Sequence, residues 1–354
     1  MKFGVIPGNL LERLAIAAGK VPIPLLDSLY GPIKARALLT AVRLDLFAVI
    51  GTGWHSAASL APQISADPAA LDLLLRTLVF AGYLRQDGEQ YALSKLARRS
   101  FLPQCNLPMT GLVRWNHWMW DMVAHMEDTI RTGHGVDYHA SLQDPAGWAA
   151  YQRGMFEIAR LNAPVVAKLI PVPRGATRLL DLAGSHGLFG AAVCRRHPGL
   201  RATVLDLPPA IEPAQALARE ARIEDVVEHR AGDLLQDDLG QGWNVALLCN
   251  ILHHFMPDGI ARLLQRVHAA LAPDATLAIW EIERPKAGSK AGDGDGAALF
   301  FRVTSTAGTY HGEDYSGWLQ AAGFRAVRTR RPALSPGSVL VTAMRGPHER
   351  PPTR

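Results

Sequence analysis

The chain is poor in cysteine and contains no long apolar run. Its 354 residues include only Cys105, Cys194 and Cys249, which are too few and too far apart for a disulfide framework or a zinc ribbon. No run approaches the roughly 20 apolar residues that a membrane-spanning helix needs. The first 20 residues are interrupted before any signal-like apolar stretch forms. We therefore expect a cytoplasmic protein with reduced thiols and no membrane partner.

The chain also has only a small excess of positive over negative charge. Lysine and arginine exceed aspartate and glutamate by 37 to 32, a net charge of +5, and part of this excess lies in the C-terminal tail. Nucleic acid is therefore not an expected partner. Hydrophobic residues make up 48% of the chain, which is typical of a globular protein. A chain of this length is expected to form two domains.

The first part of the chain has the pattern of three helices followed by a hairpin. Helices are predicted over 33–50, from Ser56 onward, and from Ser65 or Asp67 to Gly82. Two short extended pieces flank Asp87-Gly88, a dipeptide that favours a tight hairpin turn. Three helices and a hairpin predict a winged helix, which we assign to residues 1–105.

The rest of the chain changes from helical to alternating structure. Residues 106–170 contain two long helical stretches, near 107–132 and 146–170, and are expected to link the two domains. Beyond residue 171, apolar runs at 177–183, 201–207, 225–231, 244–250 and 275–283 alternate with helix-like segments. This alternation predicts an α/β fold with a doubly wound parallel sheet over 171–354. The last strand is expected to be antiparallel, and the glycine-rich residues 286–296 to form a surface loop.

In such sheets, ligands bind beyond the carboxyl ends of the strands. Gly184 and Gly187 follow the first strand of this domain, where they allow close approach of the backbone to a ligand. Asp206 ends the second strand and could accept both hydroxyls of a ribose. Asp233 follows the third strand, where an adenine amino group could be met. Each residue alone fits an ordinary turn, but the combination indicates an adenosine site.

The motifs LLDLAGSHG, VLDLP, AGDLL, CNILHHF and AIWEIERP occur in the order and spacing of a known family. In them the chain resembles the S-adenosylmethionine-dependent small-molecule O-methyltransferases of caffeate and bacterial natural-product type. The resemblance covers most of the chain and includes the N-terminal part. It implies a Rossmann-like class I methyltransferase sheet, preceded by a mainly helical winged-helix dimerisation domain that forms a homodimer.

The resemblance also implies which residues bind S-adenosyl-L-methionine and its product S-adenosyl-L-homocysteine. They are Asp181, Gly184, Gly187, Asp206, Leu207, Gly232, Asp233, Leu234, Cys249 and Asn250. Ala183 and Ser185 occupy two positions where the family usually has glycine. Because the added groups are small, cofactor binding is expected to survive.

The resemblance implies that His253 is a general base. An imidazole with a pKa near ~6.5 suits deprotonation of a phenol with a pKa near ~10. Adjacent side chains diverge, so one histidine acts, and His254 is expected to turn toward the next turn or the interior, while remaining a candidate substrate contact. Glu281 matches the family's supporting glutamate, and Thr309 or Glu313 takes the place of a second. No third ligand is near enough in sequence for a metal site.

An acceptor pocket is predicted from aromatic and methionine side chains. Trp115, Met119, Met122 and Met126 are spaced along one face of a predicted helix, with Trp118 beside them. Such side chains form flat apolar walls for ring compounds. The resemblance adds Met155 and Phe156 from the next helix. An aromatic small molecule is therefore the expected acceptor.

Three other functions stay open at this point. The incomplete glutamate pair leaves room for N- or C-methylation. The altered glycine loop leaves room for a relative that binds the cofactor without transferring its methyl group. A DNA-binding regulator is less favoured, because residues 69–84 carry only Arg76 as a basic side chain, whereas recognition helices are usually basic.

Overall fold

The computed structural model describes residues 7–142, 145–290, 292–333 and 335–347. The chain divides into two compact units after Trp118, within the helix Thr110–Val123. The three-part division proposed from the sequence stays a prediction. Along the described residues, no helix combines the length and the apolar character needed to cross a membrane.

The N-terminal unit is mainly helical with a small sheet. Its helices are α1 (Leu10–Ala17), α2 (Ile23–Arg43), α3 (Leu46–Ile50), α4 (Ala57–Leu60), α5 (Pro68–Phe80), α6 (Lys95–Phe101) and α7 (Thr110–Val123). Its strands β1 (His55–Ser56), β2 (Leu84–Asp87) and β3 (Gln90–Leu93) form an antiparallel sheet in the order β1-β3-β2. The hairpin of β2 and β3 lies where it is predicted.

Local capping explains where these helices begin. The Ser56 hydroxyl accepts a hydrogen bond from the Ser59 amide, and the Asp67 carboxylate accepts one from Ala70. Both side chains satisfy amides that the first turn leaves unpaired. The helix predicted over 33–50 is interrupted, because Asp45 adopts a left-handed backbone with φ 51° before α3. The predicted starts are thus correct, and the single long helix is wrong.

The C-terminal unit alternates strands and helices. Its helices are α8 (Met126–Thr132), α9 (Tyr138–Ser141), α10 (Pro145–Ala167), α11 (Leu188–Arg196), α12 (Pro208–Ala221), α13 (Pro257–Ala270), α14 (Asp293–Thr304) and α15 (Gly312–Ala321). Its strands are β4 (Arg178–Leu182), β5 (Arg201–Asp206), β6 (Val227–Ala231), β7 (Trp243–Cys249), β8 (Leu271–Ile282), β9 (Phe324–Arg330) and β10 (Ser338–Arg345).

These strands form one sheet in the order β6-β5-β4-β7-β8-β10-β9. Strands β6 through β8 are parallel, and β10 is antiparallel to both of its neighbours. Leu180 packs into one core cluster with α13 and α15, whereas Leu179 packs into another with α10 and α11. Successive residues of β4 therefore face helical layers on opposite sides. The predicted doubly wound sheet with an antiparallel last strand is confirmed.

One prediction for the helical stretches beyond residue 106 is wrong, whereas the predicted surface loop is correct for residues 286–290, which are exposed and lie outside the helices. The stretch near 107–132 is two helices, α7 and α8, so Met126 does not lie on the same helix as Met122. The predicted surface loop 286–296 ends in the first turn of α14, where the Gly292 amide donates to the Asp295 carboxylate at 2.7 Å. Glycine is a poor helix former, which hid this helix in the sequence.

Candidate active site

A cavity of about 270 Å³ lies at the carboxyl ends of β4 to β7. It is lined by Asp137, His139, Trp148, Tyr151, Gln152, Ala183, Ser185, Asp206, Leu207, Gly232, Asp233, Leu234, Leu235, Asn250, Ile251, His254, Phe255 and Thr306. The residues that follow four neighbouring strands thus meet at one end of the sheet. This is where ligands bind in doubly wound folds.

The loop after β4 is shaped by two glycines and a buried carboxylate. Asp181 is fully buried, and its carboxylate accepts a hydrogen bond from the Gly190 amide at 3.0 Å. A Cβ atom at Gly184 would lie 2.5 Å from the Asp181 carboxyl carbon, and one at Gly187 would lie 2.7 Å from Val227 Cγ1. Burial raises the pKa of Asp181 to about 7. These three predicted residues shape the loop from behind and do not line the cavity.

The two positions where the family has glycine adopt left-handed backbone. Ala183 has φ 52° and Ser185 has φ 49°, a region in which a side chain costs roughly 1–2 kcal/mol. Both residues line the cavity. The Ser185 hydroxyl is buried without a hydrogen-bond partner among the described residues, so it is available to a ligand.

Replacing Ala183 with glycine is expected to raise the free energy of unfolding by about 1 kcal/mol, because glycine tolerates this backbone conformation. Urea denaturation measures the change. The matched control is Ala192→Gly within α11, where helical backbone makes glycine unfavourable by about 0.5–1 kcal/mol. Equal destabilisation by both substitutions would show that residue 183 carries no backbone strain.

Asp206 presents an oriented carboxylate to the cavity. One of its oxygens accepts from the Ser185 amide and the other from the Leu207 amide, both at 2.8 Å. Burial raises the pKa of Asp206 to about 6, although the two amides act in the opposite direction. Each oxygen keeps a lone pair for a ligand hydroxyl. This geometry fits the predicted ribose contact.

The loop after β6 contributes the far side of this cavity. Asp233 forms a local turn, in which one carboxylate oxygen accepts from the Leu235 amide and the other from the Gln236 side chain. Gly232, Leu234, Leu207 and Asn250 also line the cavity, as predicted for a cofactor site. Cys249, like Asp181, Gly184 and Gly187, does not line the cavity. Its thiol lies in an apolar core cluster, and burial raises the pKa of Cys249 well above its ordinary value.

Gln152 is a cavity residue that the sequence did not reveal. Its side-chain amide nitrogen donates to the Ala210 carbonyl at 2.8 Å. Its side-chain oxygen is buried without a hydrogen-bond partner among the described residues. An unsatisfied buried acceptor is costly unless a ligand supplies a donor. No motif marks this position, which lies within α10.

His253 and Glu281 form a buried hydrogen-bonded pair after β7 and at the end of β8. His253 Nδ1 lies 2.8 Å from one carboxylate oxygen of Glu281, and both side chains are almost fully buried. The other Glu281 oxygen accepts from the amides of Ile251 and Leu252 at 2.7 and 2.6 Å. A carboxylate acceptor requires the proton on Nδ1, so Nε2 of a neutral ring carries the lone pair.

His254 lies on the cavity wall, whereas His253 is buried next to it. The two rings are 4.2 Å apart between centroids, and His254 is 4.5 Å from the ring of His139. His254 was expected to face the following turn or the interior, and also to be a candidate substrate contact; its place in the cavity lining fits the second expectation. Burial lowers the pKa of His254 well below its ordinary value. A third imidazole, that of His139, was not predicted to be near.

Neither candidate for the second glutamate of the family, Thr309 or Glu313, lines the cavity. Glu313 is exposed and pairs with Lys286 at 2.7 Å and Arg331 at 3.6 Å. Thr309 is buried, and its hydroxyl has no hydrogen-bond partner in the described parts of the chain. Thr309 follows Gly308, whose amide donates to the His253 carbonyl. Thr309 therefore lies next to a residue that contacts the segment containing His253 and His254.

Most of the predicted acceptor contacts lie elsewhere. Phe156 packs against His186, with ring centroids 5.5 Å apart, and neither Phe156 nor Met155 lines the cavity. His186 caps α11, because its Nδ1 accepts from the Leu188 amide. Trp115 and Trp118 belong to the N-terminal unit, so their role stays a prediction.

Met119 and Met122, from the same predicted apolar face, are buried side chains outside the cavity lining. Trp148 and Tyr151 supply the aromatic wall instead. They lie three residues apart on α10, a helical spacing that could have identified them. Across the described residues, no cluster of three or more histidine, cysteine or carboxylate side chains has the arrangement of a metal site.

The sheet, its strand-end carboxylates and the histidine–glutamate pair define a Rossmann-like class I methyltransferase, a class that uses S-adenosyl-L-methionine. Residues 115–325 match the model of the O-methyltransferase domain, and residues 26–102 match that of the O-methyltransferase dimerisation domain. The chain belongs to the O-methyltransferase family. Asp206, Ser185 and Gln152, with open hydrogen-bonding capacity at the cavity, fit the polar groups of the cofactor.

Relatives from natural-product pathways support this placement. The mitomycin biosynthesis 6-O-methyltransferase of Streptomyces lavendulae is 30% identical over 278 residues, covering 74% of this chain and 78% of that protein. The O-demethylpuromycin-O-methyltransferase of Streptomyces alboniger is 27% identical over 335 residues, covering 90% and 88%.

Solved structures show the same fold. That of mitomycin 7-O-methyltransferase has a TM-score of 0.81 at 25% identity, covering 94% of this chain and 100% of that one. Human N-acetylserotonin methyltransferase, solved with S-adenosylmethionine, has a TM-score of 0.82 at 18% identity, covering 91% and 96%.

Proposed function

We propose that this O-methyltransferase methylates a hydroxyl of an aromatic or polyketide-like small molecule in secondary metabolism, with His253 as the general base. The observation that carries the proposal is the His253–Glu281 hydrogen bond, in which His253 lies between the cavity-lining residues Ile251 and His254 in sequence. Bound S-adenosyl-L-methionine supplies an electrophilic methyl group on a sulfonium. Asp206, Ser185 and Gln152 would hold this cofactor, and its methyl group would be the electrophile for the acceptor oxygen.

The protein's own part is to remove a proton at the right place. His253 Nε2 accepts the hydroxyl proton, which raises the nucleophilicity of the acceptor oxygen. Glu281 holds the ring through Nδ1 and stabilises the imidazolium that forms. Because two backbone amides fix the carboxylate of Glu281, the ring stays oriented throughout the transfer.

The shape and chemistry of the cavity support an aromatic acceptor. Trp148 and Tyr151 give the cavity flat aromatic walls and pack against His139, whose ring contacts that of His254. Relatives named for ring compounds include a 3-hydroxy-5-methyl-1-naphthoate 3-O-methyltransferase and the tetracenomycin polyketide synthesis 8-O-methyl transferase. One relative, from Streptomyces rimosus, is an N,N-dimethyltransferase. Since neither candidate for the second glutamate lines the cavity, this relative keeps N-methylation as the alternative.

The test is methyl transfer from labelled S-adenosyl-L-methionine to a panel of phenols, naphthols and aromatic amines. We expect labelled methyl ethers from the hydroxyl compounds, identified by mass spectrometry. Labelled amines with no ethers would instead establish the N-methylation alternative. Tight binding of the cofactor without any labelled product would contradict the proposal and favour non-methylating chemistry.

We also propose that the protein is a homodimer through its N-terminal unit. This unit exposes large apolar side chains, namely Leu10, Leu11, Leu14, Leu25, Leu29, Ile33, Leu73 and Phe80. Such surfaces are rarely left in water by a monomer, and residues 26–102 match a dimerisation domain.

Light scattering after size exclusion is expected to give twice the 38.4 kDa mass of one chain. Phe80→Glu is expected to shift the mass toward one chain, because it places a charge in the proposed interface. Met344→Glu, on the partly exposed β10 position, is the matched control. A wild-type mass of one chain at micromolar concentration would refute the dimer.

A further inference from the structure

His139 and His254 form a pair of imidazoles on one wall of the cavity. Their ring centroids lie 4.5 Å apart, with an interplanar angle of 67°, and both line the cavity. They come from distant parts of the chain, α9 and the loop after β7. Within the described residues, neither ring makes a hydrogen bond to another side chain or to the backbone.

The surroundings of His139 hold its ring in place through aromatic contacts. Trp148 stacks on it at 5.9 Å, with planes 22° apart, and Tyr151 meets it edge-on at 5.2 Å. Rings packed in this way lose little further freedom when a ligand binds. The His139 ring is therefore preorganised. The ring nitrogen atoms of His139 and His254 are the groups available to hydrogen-bond a ligand.

Burial of both imidazoles favours their neutral form. Burial lowers the pKa of His139 to about 4, with Asp137 acting weakly in the opposite direction. Burial lowers the pKa of His254 as well, and the two neighbouring imidazoles of His253 and His139 add to this effect. A neutral imidazole offers one N–H donor and one acceptor nitrogen. It is therefore a better partner for a hydroxyl or a carbonyl than for a carboxylate, which binds more strongly to a positively charged donor.

We infer that His139 and His254 bind a second, uncharged oxygen on the acceptor, next to the hydroxyl that is methylated. The neighbouring position follows from the packing, because the His254 ring is 4.2 Å from that of the proposed base His253. The acceptor class is then a planar ring compound with two adjacent oxygen substituents, either two hydroxyls or a hydroxyl and a carbonyl. This inference rests on the proposed function and narrows its substrate.

The experiment compares three acceptors on one ring system: 2-naphthol, 2,3-dihydroxynaphthalene and 3-hydroxy-2-naphthoate. Wild-type kcat/KM is expected to be about 10- to 100-fold higher for the diol than for 2-naphthol, because 2-naphthol leaves the buried imidazoles unpaired. The naphthoate is expected to be the poorest of the three acceptors. A wild type that prefers the naphthoate over the diol would overturn the inference.

The His139→Phe variant tests the role of the ring nitrogens while keeping an aromatic ring at this position. Its diol-to-naphthol ratio of kcat/KM is expected to fall to within about threefold of one, whereas His139→Asn retains part of the preference. His134→Phe, at an exposed nearby position, is the matched control and should keep the wild-type ratio. An unchanged ratio in His139→Phe, or equal losses on both acceptors, would overturn the inference.

A binding measurement distinguishes failure of this inference from failure of the proposed function. If none of the three compounds gains a methyl group, calorimetry of each compound with the complex of protein and S-adenosyl-L-homocysteine makes the same comparison in Kd. Diol binding at least tenfold tighter than that of 2-naphthol, lost in His139→Phe, supports the inference even then. Equal affinities in the wild type refute it.

Discussion

Replacing His253 with alanine is expected to lower kcat about 10²- to 10⁴-fold, the usual contribution of a general base. The reason is geometric, since the Glu281 contact commits Nδ1 and leaves Nε2 to take the acceptor proton. The affinity for S-adenosyl-L-homocysteine, measured by calorimetry, is expected to change little. His125→Ala, at an exposed position, is the control.

A nitro-substituted phenol, used as the acceptor, distinguishes a general-base role of His253 from a structural role. Its hydroxyl is already ionised at the assay pH, so the deficit of His253→Ala is expected to shrink strongly with this acceptor. His253→Ala leaves the buried Glu281 carboxylate without its side-chain partner, which destabilises the fold. His253→Gln can still donate a hydrogen bond to Glu281, so it removes the base while keeping this contact. The same deficit for ionised and neutral phenols would mean that His253 does not remove the proton.

Replacing Asp206 with alanine is expected to weaken binding of S-adenosyl-L-homocysteine about 10²- to 10⁴-fold. Two hydrogen bonds to a charged carboxylate contribute about 1.5–3 kcal/mol each, and Asp206 has one oxygen for each ribose hydroxyl. Glu212→Gln, an exposed carboxylate on α12, is the matched control. A change of less than threefold would remove Asp206 from the cofactor site.

The same carboxylate predicts a pH dependence of cofactor binding. Because burial raises the pKa of Asp206 to about 6, its ionised fraction in the unliganded protein grows as the pH rises from 5 to 7. Affinity for S-adenosyl-L-homocysteine is therefore expected to increase over this interval and to level off above pH 7. Asp206→Asn should lose this increase. A wild-type affinity that falls across the interval would contradict the assignment.

The sequence predicted the sheet well because β4, β5, β7 and β8 are buried and mainly apolar, although β6 and β9 are more polar. Leu179 and Leu180 face opposite layers, so a buried parallel strand carries no alternation that could be confused with a surface strand. Asp206 and Asp233 could be identified because they end or follow predicted strands. The helix α14 was missed because its first turn contains Gly294 and Gly296.

The acceptor wall could not be predicted with equal success. His139 and His254 are 115 positions apart, and no local pattern indicates that their rings meet. Which of two adjacent histidines lines the cavity depends on the backbone of the short turn Leu252–His254, which no residue pattern in the sequence specifies. Gln152 is an ordinary glutamine by sequence, and only the unpaired oxygen reveals its position at the site.

Where the cavity residues lie along the chain has an evolutionary consequence. Asp137, His139, Trp148 and Tyr151 lie within residues 137–151, a stretch that ends just before Gln152, whereas Asp206 ends β5 and Asp233 follows β6. Recombination confined to this stretch would exchange much of one wall in a single event. A descendant could acquire a different acceptor specificity in this way, while the cofactor-binding residues at the strand ends stay unchanged.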